Sequence, residues 1–403
     1  MRNRMTLGVL VLSAVVAGQA ISWQATTSLP RSSWRHACAA TAGRIYFMGG
    51  GNGPEASCDY AAVNPDGTLG QWVSTTPLPA GIGWFSADAT EGHIYICGGW
   101  NGGGLTNAVQ HAMLDSTGAI GNWSPTTSLP GVVYTHGAII ADSFLYVLGG
   151  ATGIGAPVIA DVRYARIQPD GSLGGWSATT SLPQPMRIMG VTVRDSWLYS
   201  VGGRDGSGNA AAVVYFCRRS PDGSLGQWIA TTSLPVAIDG MTCAVLDDRI
   251  YSAGGMTYGA LNNVYSAPIA PDGTLGDWIA ETSLPAARWA SDGVAVNGRL
   301  YVPGGYDSGP YADVYYSSPL TGVSEGQAVA ARPQLSIRPN PTHSGFVKAG
   351  LDGPAVVSVH DASGRCVLRQ ESSGVIDLRS LSPGVYYCRV EPGTATARIT
   401  VVR

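Results

Sequence analysis

The chain is poor in charge. Of its 403 residues only 13% are Asp, Glu, Lys or Arg, about half the share of an ordinary soluble domain. Net charge is −3 and no basic run occurs, which excludes nucleic-acid binding by a phosphate-tracking face. No run is long and apolar enough to stay as a membrane span, the short N-terminal apolar run included. There is no C-x-x-C pair among the seven cysteines (Cys38, Cys58, Cys97, Cys217, Cys243, Cys366, Cys388), and their odd number leaves at least one thiol free or intermolecular. Cys38 and Cys243 occupy one equivalent place where other copies carry Ala, Val or Gly, so they read as small core residues. No catalytic constellation and no metal-ligand spacing stands out, so neither a metal nor a cofactor is expected.

What is abundant is glycine, 55 residues, set in a repeat. Trp23, Trp72, Trp123, Trp176, Trp228 and Trp278 each open a segment W-x-x-[TE]-T-x-L-P. A Gly-Gly pair follows each Trp 26 residues later, from Gly49-Gly50 to Gly304-Gly305, and a Tyr stands three residues before every pair. The Trp spacings are 49, 51, 53, 52 and 50. A fixed period near fifty marks a propeller array. Within one period the fourth copy shows four short strand-like runs: Ile188 to Val193, Trp197 to Val201, Ala210 to Cys217 and Gln227 to Ala230. Pro221-Asp222-Gly223 turns between the last two, and the same P-D-G turn recurs at 65–67, 169–171 and 271–273. Pro presets the first turn dihedral and Gly accepts the positive φ that closes it. The glycine pairs suit a place where strands crowd, and the Trp residues suit packing between neighbouring blades. The array opens on a fourth strand at Trp23 and ends on a third near Ser317, so the N-terminal strand should complete the last blade and close the ring.

This pattern resembles the kelch repeat family from Trp23 to about Thr321, with a longer P-D-G-[ST]-L-G hairpin than the usual repeat. The resemblance implies a six-bladed β-propeller of a bacterial secreted kind. The D-G-[ST]-L-G-x-W string is also similar to the Asp-box of sialidases, but its Asp-to-Trp spacing is out of register with that motif.

The six copies differ mainly on one face. The first-to-second and third-to-fourth turns are uniform and share the other face. At positions 10 to 13 after each Trp the copies diverge, and these residues should ring the mouth of the central channel. There stand Trp34, Arg35 and His36; Trp84 and Phe85; Tyr134 and His136; Arg187; Asp239; Arg288 and Trp289. The segments after the glycine pairs add Trp100, Arg204, Asp205, Tyr258, Tyr306 and Asp307. A mouth rich in Trp, Tyr and Arg has the composition of a binding surface; the alternative is aromatics that plug the channel. Arg35, Arg187 and Arg288 offer guanidinium groups to a carboxylate or sulfate of an acidic sugar, if they converge. His36 and His136 share one repeat position and are expected to face each other obliquely across the channel. Asp239 and Asp292 offer an acid/base pair, if they meet.

The two ends carry addresses. Arg2 and Arg4 precede an apolar run from Met5 to Ala17 and small residues at Gly18-Gln19-Ala20, the pattern of a signal peptide over 1–20. The propeller is expected over 21–321 and a small-residue linker over 322–333. Residues 334–403 then carry Pro339-Asn340-Pro341, Asp361-x-x-Gly364 and Pro383-Gly384-Val385-Tyr386. Alternation at Val357, Val359 and at Val385, Tyr387 suggests a small immunoglobulin-like β-sandwich. Cys366 and Cys388 fall on two of its strands, where a disulfide needs Cα atoms within about 7 Å. This region is similar to the C-terminal sorting domain of the type IX (Por) secretion system, which implies engagement of that machinery and delivery to the bacterial outer surface or beyond. The expected fold is therefore all-β: a six-bladed kelch-type propeller followed by a sandwich. The expected role is a secreted or cell-surface binding protein for a glycan or protein ligand. The alternative is a propeller enzyme acting on carbohydrate, as a hydrolase, lyase, epimerase or galactose-oxidase-like oxidase.

Overall fold

A computed structural model describes residues 21–319 and, toward the C-terminus, 337–338, 346–349, 355–360, 366–372, 375–391 and 396–401. The leader expected at 1–20 and the linker expected at 322–333 lie outside the described residues. The chain divides into two compact units that part between Thr321 and Gly322.

The first unit contains six four-stranded antiparallel sheets. Blade 1 runs Ala37–Thr41, Arg44–Met48, Cys58–Ala62 and Val73–Ser74, from the channel outward. Blades 2 to 5 repeat this order. Blade 6 takes Val294–Val296, Arg299–Pro303 and Val314–Ser317 from the end of the array, and Trp23–Thr26 from its start. Trp23 pairs with Ser317 and Thr26 with Val314, so the ring closes where the repeat phase required.

The conserved words of the repeat are inter-blade bonds. The indole Nε1 of every repeat Trp donates to a Thr carbonyl on the neighbouring blade, at 2.8–3.3 Å. At five interfaces the preceding Thr-Thr pair clasps the backbone of one turn residue, the Leu of D-G-x-L at four of them and Ile120 at the fifth. At the first of these, Thr26 Oγ1 accepts from Leu69 N–H while Thr27 Oγ1 donates to Leu69 O. The sixth interface meets the closing strand, and there Glu281 replaces Thr and accepts from Ser266 in its own blade. Each repeat Tyr is buried. Five of the six donate to the glycine carbonyl of the next blade's turn, as Tyr95 does to Gly171 at 2.7 Å.

The glycine pairs are required twice over. Both members have positive φ in all six copies. The second donates its N–H to the position-10 carbonyl of the next blade at 2.8–2.9 Å, for instance Gly99 to Val133. A Cβ on the first would drive into that same carbonyl: Gly98 would meet Val133 O at 2.6 Å.

The second unit has two sheets. One orders Ile337–Arg338, Phe346–Ala349 and Val375–Asp377; the other orders Cys366–Ser372, Ala355–His360, Gly384–Glu391 and Thr396–Val401. Val357, Val359, Ile376, Leu378, Leu381, Cys388 and Val401 form its core. The alternation expected at Tyr387 is out by one residue: Tyr387 is exposed and Cys388 is inside. Cys366 is exposed and Cys388 buried, and both are free thiols.

Replacing Gly98 by Ala is expected to lower the unfolding free energy by more than about 2 kcal/mol, since a left-handed Cβ and a backbone collision add. Gly53→Ala, where a Cβ meets nothing within 4 Å, is the matched control and should change little. Urea denaturation of both variants checks this.

Candidate functional site

The mouth is built by four consecutive residues at the start of each innermost strand. Position 12 supplies Arg35, Trp84, Thr135, Ile188, Gly240 and Ala290, and all six have φ between 53° and 62°. Their peptide groups bond head to tail around the channel. Arg35 N–H donates to Ala290 O, Ala290 to Gly240, Gly240 to Ile188, Ile188 to Thr135, Thr135 to Trp84, and Trp84 back to Arg35, at 2.8–3.3 Å. This closed ring aims Arg35, Trp84, Thr135 and Ile188 at the axis, where they line both the mouth pocket above and a channel cavity below.

The mouth pocket encloses about 430 Å³, within the usual size for a small-ligand site of about 300–1,000 Å³. Its wall contains Trp84, Trp100, Tyr134 and Trp289, with Arg35, Arg187 and Arg204. Trp34, Trp84 and Trp289 from blades 1, 2 and 6 touch one another at centroid distances of 5.5–5.8 Å, and Tyr306 packs at a tilt on Trp34 at 4.7 Å. The Arg35 guanidinium lies over Trp34 at 3.4 Å and near Trp84 at 5.1 Å, a cation–π arrangement. The Nε atoms of Arg35 and Arg187 are buried without a hydrogen-bond partner.

Of the eleven residues expected at the mouth, Trp34, Arg35, Trp84, Tyr134, Arg187, Asp239 and Trp289 stand there. Four turn inward. His36, Phe85 and His136 occupy position 13, whose side chains wedge between blades beneath the first glycine of the preceding pair. A Cβ on Gly49 would lie 2.8 Å from Phe85 Cε1, and one on Gly98 would lie 2.6 Å from His136 Cε1. His36 packs edge-on to Phe47, and His136 Nε2 sits 3.4 Å from Cys97 Sγ. The two imidazoles therefore belong to separate interfaces and do not face each other across the channel. Burial pushes His36 down to about 3 and His136 to about 4, so both are neutral, and lifts the Cys97 thiol to about 12.

Arg288 is the fourth. It is fully buried, donates to Gly304 O at 2.8 Å, pairs with Asp313 and lies over Tyr315. In its copy position 13 is the small Ser291, and the Arg288 side chain supports Gly254 instead. It therefore does not converge with Arg35 and Arg187; Arg204 does. Trp100, Met256 and Ile154 also line the pocket, whereas Tyr258 projects fully into solvent.

Nor do Asp239 and Asp292 form a pair. Asp239 binds Arg204 and Trp289. Asp292 lines the channel cavity of about 150 Å³, where its side chain is exposed to the lumen, and accepts the Cys38 N–H at 2.8 Å. Its electrostatic neighbour is Asp88, which accepts from Ile140 N–H at 2.7 Å. Each carboxyl thereby ties its blade to the next. Desolvation lifts Asp88 to about 6; desolvation, with Asp88 nearby, lifts Asp292 to about 7.

Comparison with known proteins follows these two units. Residues 336–402 match the family of secretion system C-terminal sorting domains. The chain is similar to Kelch-like protein 26 of Danio rerio, 30% identical over 121 residues, which is 29% of this chain and 18% of that protein. It is also similar to Kelch-like protein terF of Aspergillus terreus (strain NIH 2624 / FGSC A1156), 26% identical over 151 residues, 34% of this chain and 31% of that one. The matches thus span less than a third of the length of these curated relatives. The solved structure of YjhT shares the fold with a TM-score of 0.61 at 13% identity, over 72% of this chain and 95% of that chain. The chain is a kelch-type propeller with a type IX sorting tail. The tail directs export to the cell surface or the extracellular space.

Raised carboxyl pKa values make a pH prediction. The stability that Asp88 and Asp292 contribute is complete below the ordinary value of 3.8 and is lost as pH rises through about 6 and about 7. Asp292→Asn keeps an acceptor for the Cys38 N–H and removes the charge. It should raise Tm at about pH 8 and leave Tm nearly unchanged at about pH 5, read by calorimetry in both buffers.

Proposed function

We propose that the protein is a secreted or surface-held binding protein whose mouth pocket takes a glycan bearing an anionic group. One observation carries this reading. A 430 Å³ pocket is walled by three Trp and one Tyr, and beside it Arg35 and Arg187 each hold a buried Nε with no partner. Aromatic faces stack on the apolar faces of sugar rings, and guanidinium forks bind carboxylate or sulfate. Buried donors without acceptors are uncommon in finished structures, and a bound ligand is one way to satisfy them. Asp239, the acid beside this wall, is already matched by Arg204, so Arg35 and Arg187 leave a positive surplus.

The reading extends to the whole chain. Residues 1–20 act as a cleaved leader, 322–333 as a linker, and the tail engages the secretion machinery. A second reading is an enzyme acting on carbohydrate at the same mouth. It is favoured by Asp292, a lumen-facing carboxyl near 7 in the cavity beneath, where a general acid/base would be poised.

The test is a panel of uronate, sulfated and neutral oligosaccharides on the full chain, by calorimetry. Binding of an anionic member is expected, weakened at least about tenfold by Arg187→Ala or by Trp84→Ala with Trp289→Ala, the scale of a hot-spot loss. No binding across the panel, with every variant folded, refutes the glycan reading. Turnover of a bound member that Asp292→Asn abolishes would instead establish the enzyme.

A further inference from the structure

Asp239 has no exposed surface although it stands at the mouth. Its two oxygens are both committed, to different blades. Oδ2 accepts from Arg204 Nη2 at 2.5 Å, and Oδ1 accepts from the Trp289 indole Nε1 at 2.7 Å. Arg204 comes from blade 4, Asp239 from the entry to blade 5 and Trp289 from the entry to blade 6. The span reaches further still. The Arg204–Asp205 strand pairs with Met186–Arg187, with Arg187 directly opposite Arg204. Arg204 also donates Nη1 to Gly208 O at 2.8 Å, which fastens the loop that follows. On the other side Trp289 rests against Trp84 and Trp34.

The neighbouring residue is shaped for this contact. Gly240 is the one glycine of the peptide ring, and a Cβ there would lie 2.3 Å from Trp289 Nε1. Glycine at that place lets the indole lie against the backbone and reach Asp239. Removing a buried carboxylate would leave Arg204 without its counter-charge and the indole without its acceptor.

We infer that Asp239 is a positioning residue that fixes the cationic wall, Arg204 with Arg187, at a set distance from the aromatic wall, Trp289 with Trp84. It touches no ligand itself. It makes the pocket selective for molecules that carry an anionic group and a sugar face at that separation. This rests on the proposed glycan-binding role of the mouth, and the test separates the two.

The experiment uses the full chain with 15N-labelled tryptophan and digalacturonate as the probe. Trp289→Phe assigns the Trp289 indole resonance by its disappearance. Asp239→Ala should move that resonance upfield, as the hydrogen bond to a carboxylate is lost, and weaken digalacturonate binding at least about tenfold. Asp239→Asn keeps an acceptor for the indole but not the charge, so it should restore the resonance and recover only part of the affinity. A Trp289 resonance that stays in place in Asp239→Ala overturns the inference. So does wild-type affinity in a folded Asp239→Ala. Should the wild-type chain bind no digalacturonate, the glycan reading fails for this ligand, while the indole shift still decides whether Asp239 holds the wall.

Discussion

Six peptide groups, one from each blade, bond head to tail around the central channel, and the site is organised by that ring. Five of the six residues are not glycine, yet all adopt the left-handed conformation. Each such residue costs about 1–2 kcal/mol, and each peptide hydrogen bond contributes a net of about 1 kcal/mol. The ring therefore adds little net stability; what it supplies is geometry. The strain is held by interfaces on every side: glycine N–H to carbonyl bonds, indole to Thr carbonyl bonds and buried Tyr to turn carbonyl bonds, repeated from blade to blade. With the backbone carrying the join, the side chains at the same positions are free to vary.

That division of labour explains the mouth. Positions 10 to 13 read as one variable patch in the sequence, but they point four ways. Position 10 lies under the glycine pair of the preceding blade, and position 11 borders the mouth beside the segment after the pair. Position 12 points at the axis, and position 13 is driven between blades. Tyr134, Arg187 and Trp289 at position 11, with Arg35, Trp84, Thr135 and Ile188 at position 12, line the pocket, and Trp34 packs behind its aromatic wall. His36, Phe85 and His136 are filler whose neighbours at the same position are Met189 and Met241. Those two apolar residues were the available sign that position 13 faces inward. Arg288 gives no such sign, because its burial depends on Ser291 being small and on Asp313, Tyr311 and Tyr315 lying around it.

Charge is scarce in this chain, and several of its carboxyls are used as ties. Asp88 and Asp292 each accept a backbone N–H from the next blade, at the cost of lifted pKa values. Asp239 ties three blades through Arg204 and Trp289. These carboxylates are single events in an otherwise periodic molecule. They sit where the repeated bonds leave off, so a role for them could not be read by comparing copies.

The sequence by itself determined the six blades, their four-strand order, the closure by the Trp23 strand and the sorting tail. Each of these follows from local patterns repeated at a fixed period: Gly-Gly where φ is positive, P-D-G where a hairpin turns, Trp and Thr-Thr where blades meet. Only the tertiary structure decided which variable side chains share a pocket. That depends on the left-handed turn at position 12, which splits adjacent residues between axis and interface. It also depends on contacts such as Asp239 with Arg204 and Trp289, which join residues 35 and 50 positions apart. No periodic signal encodes a contact that occurs once.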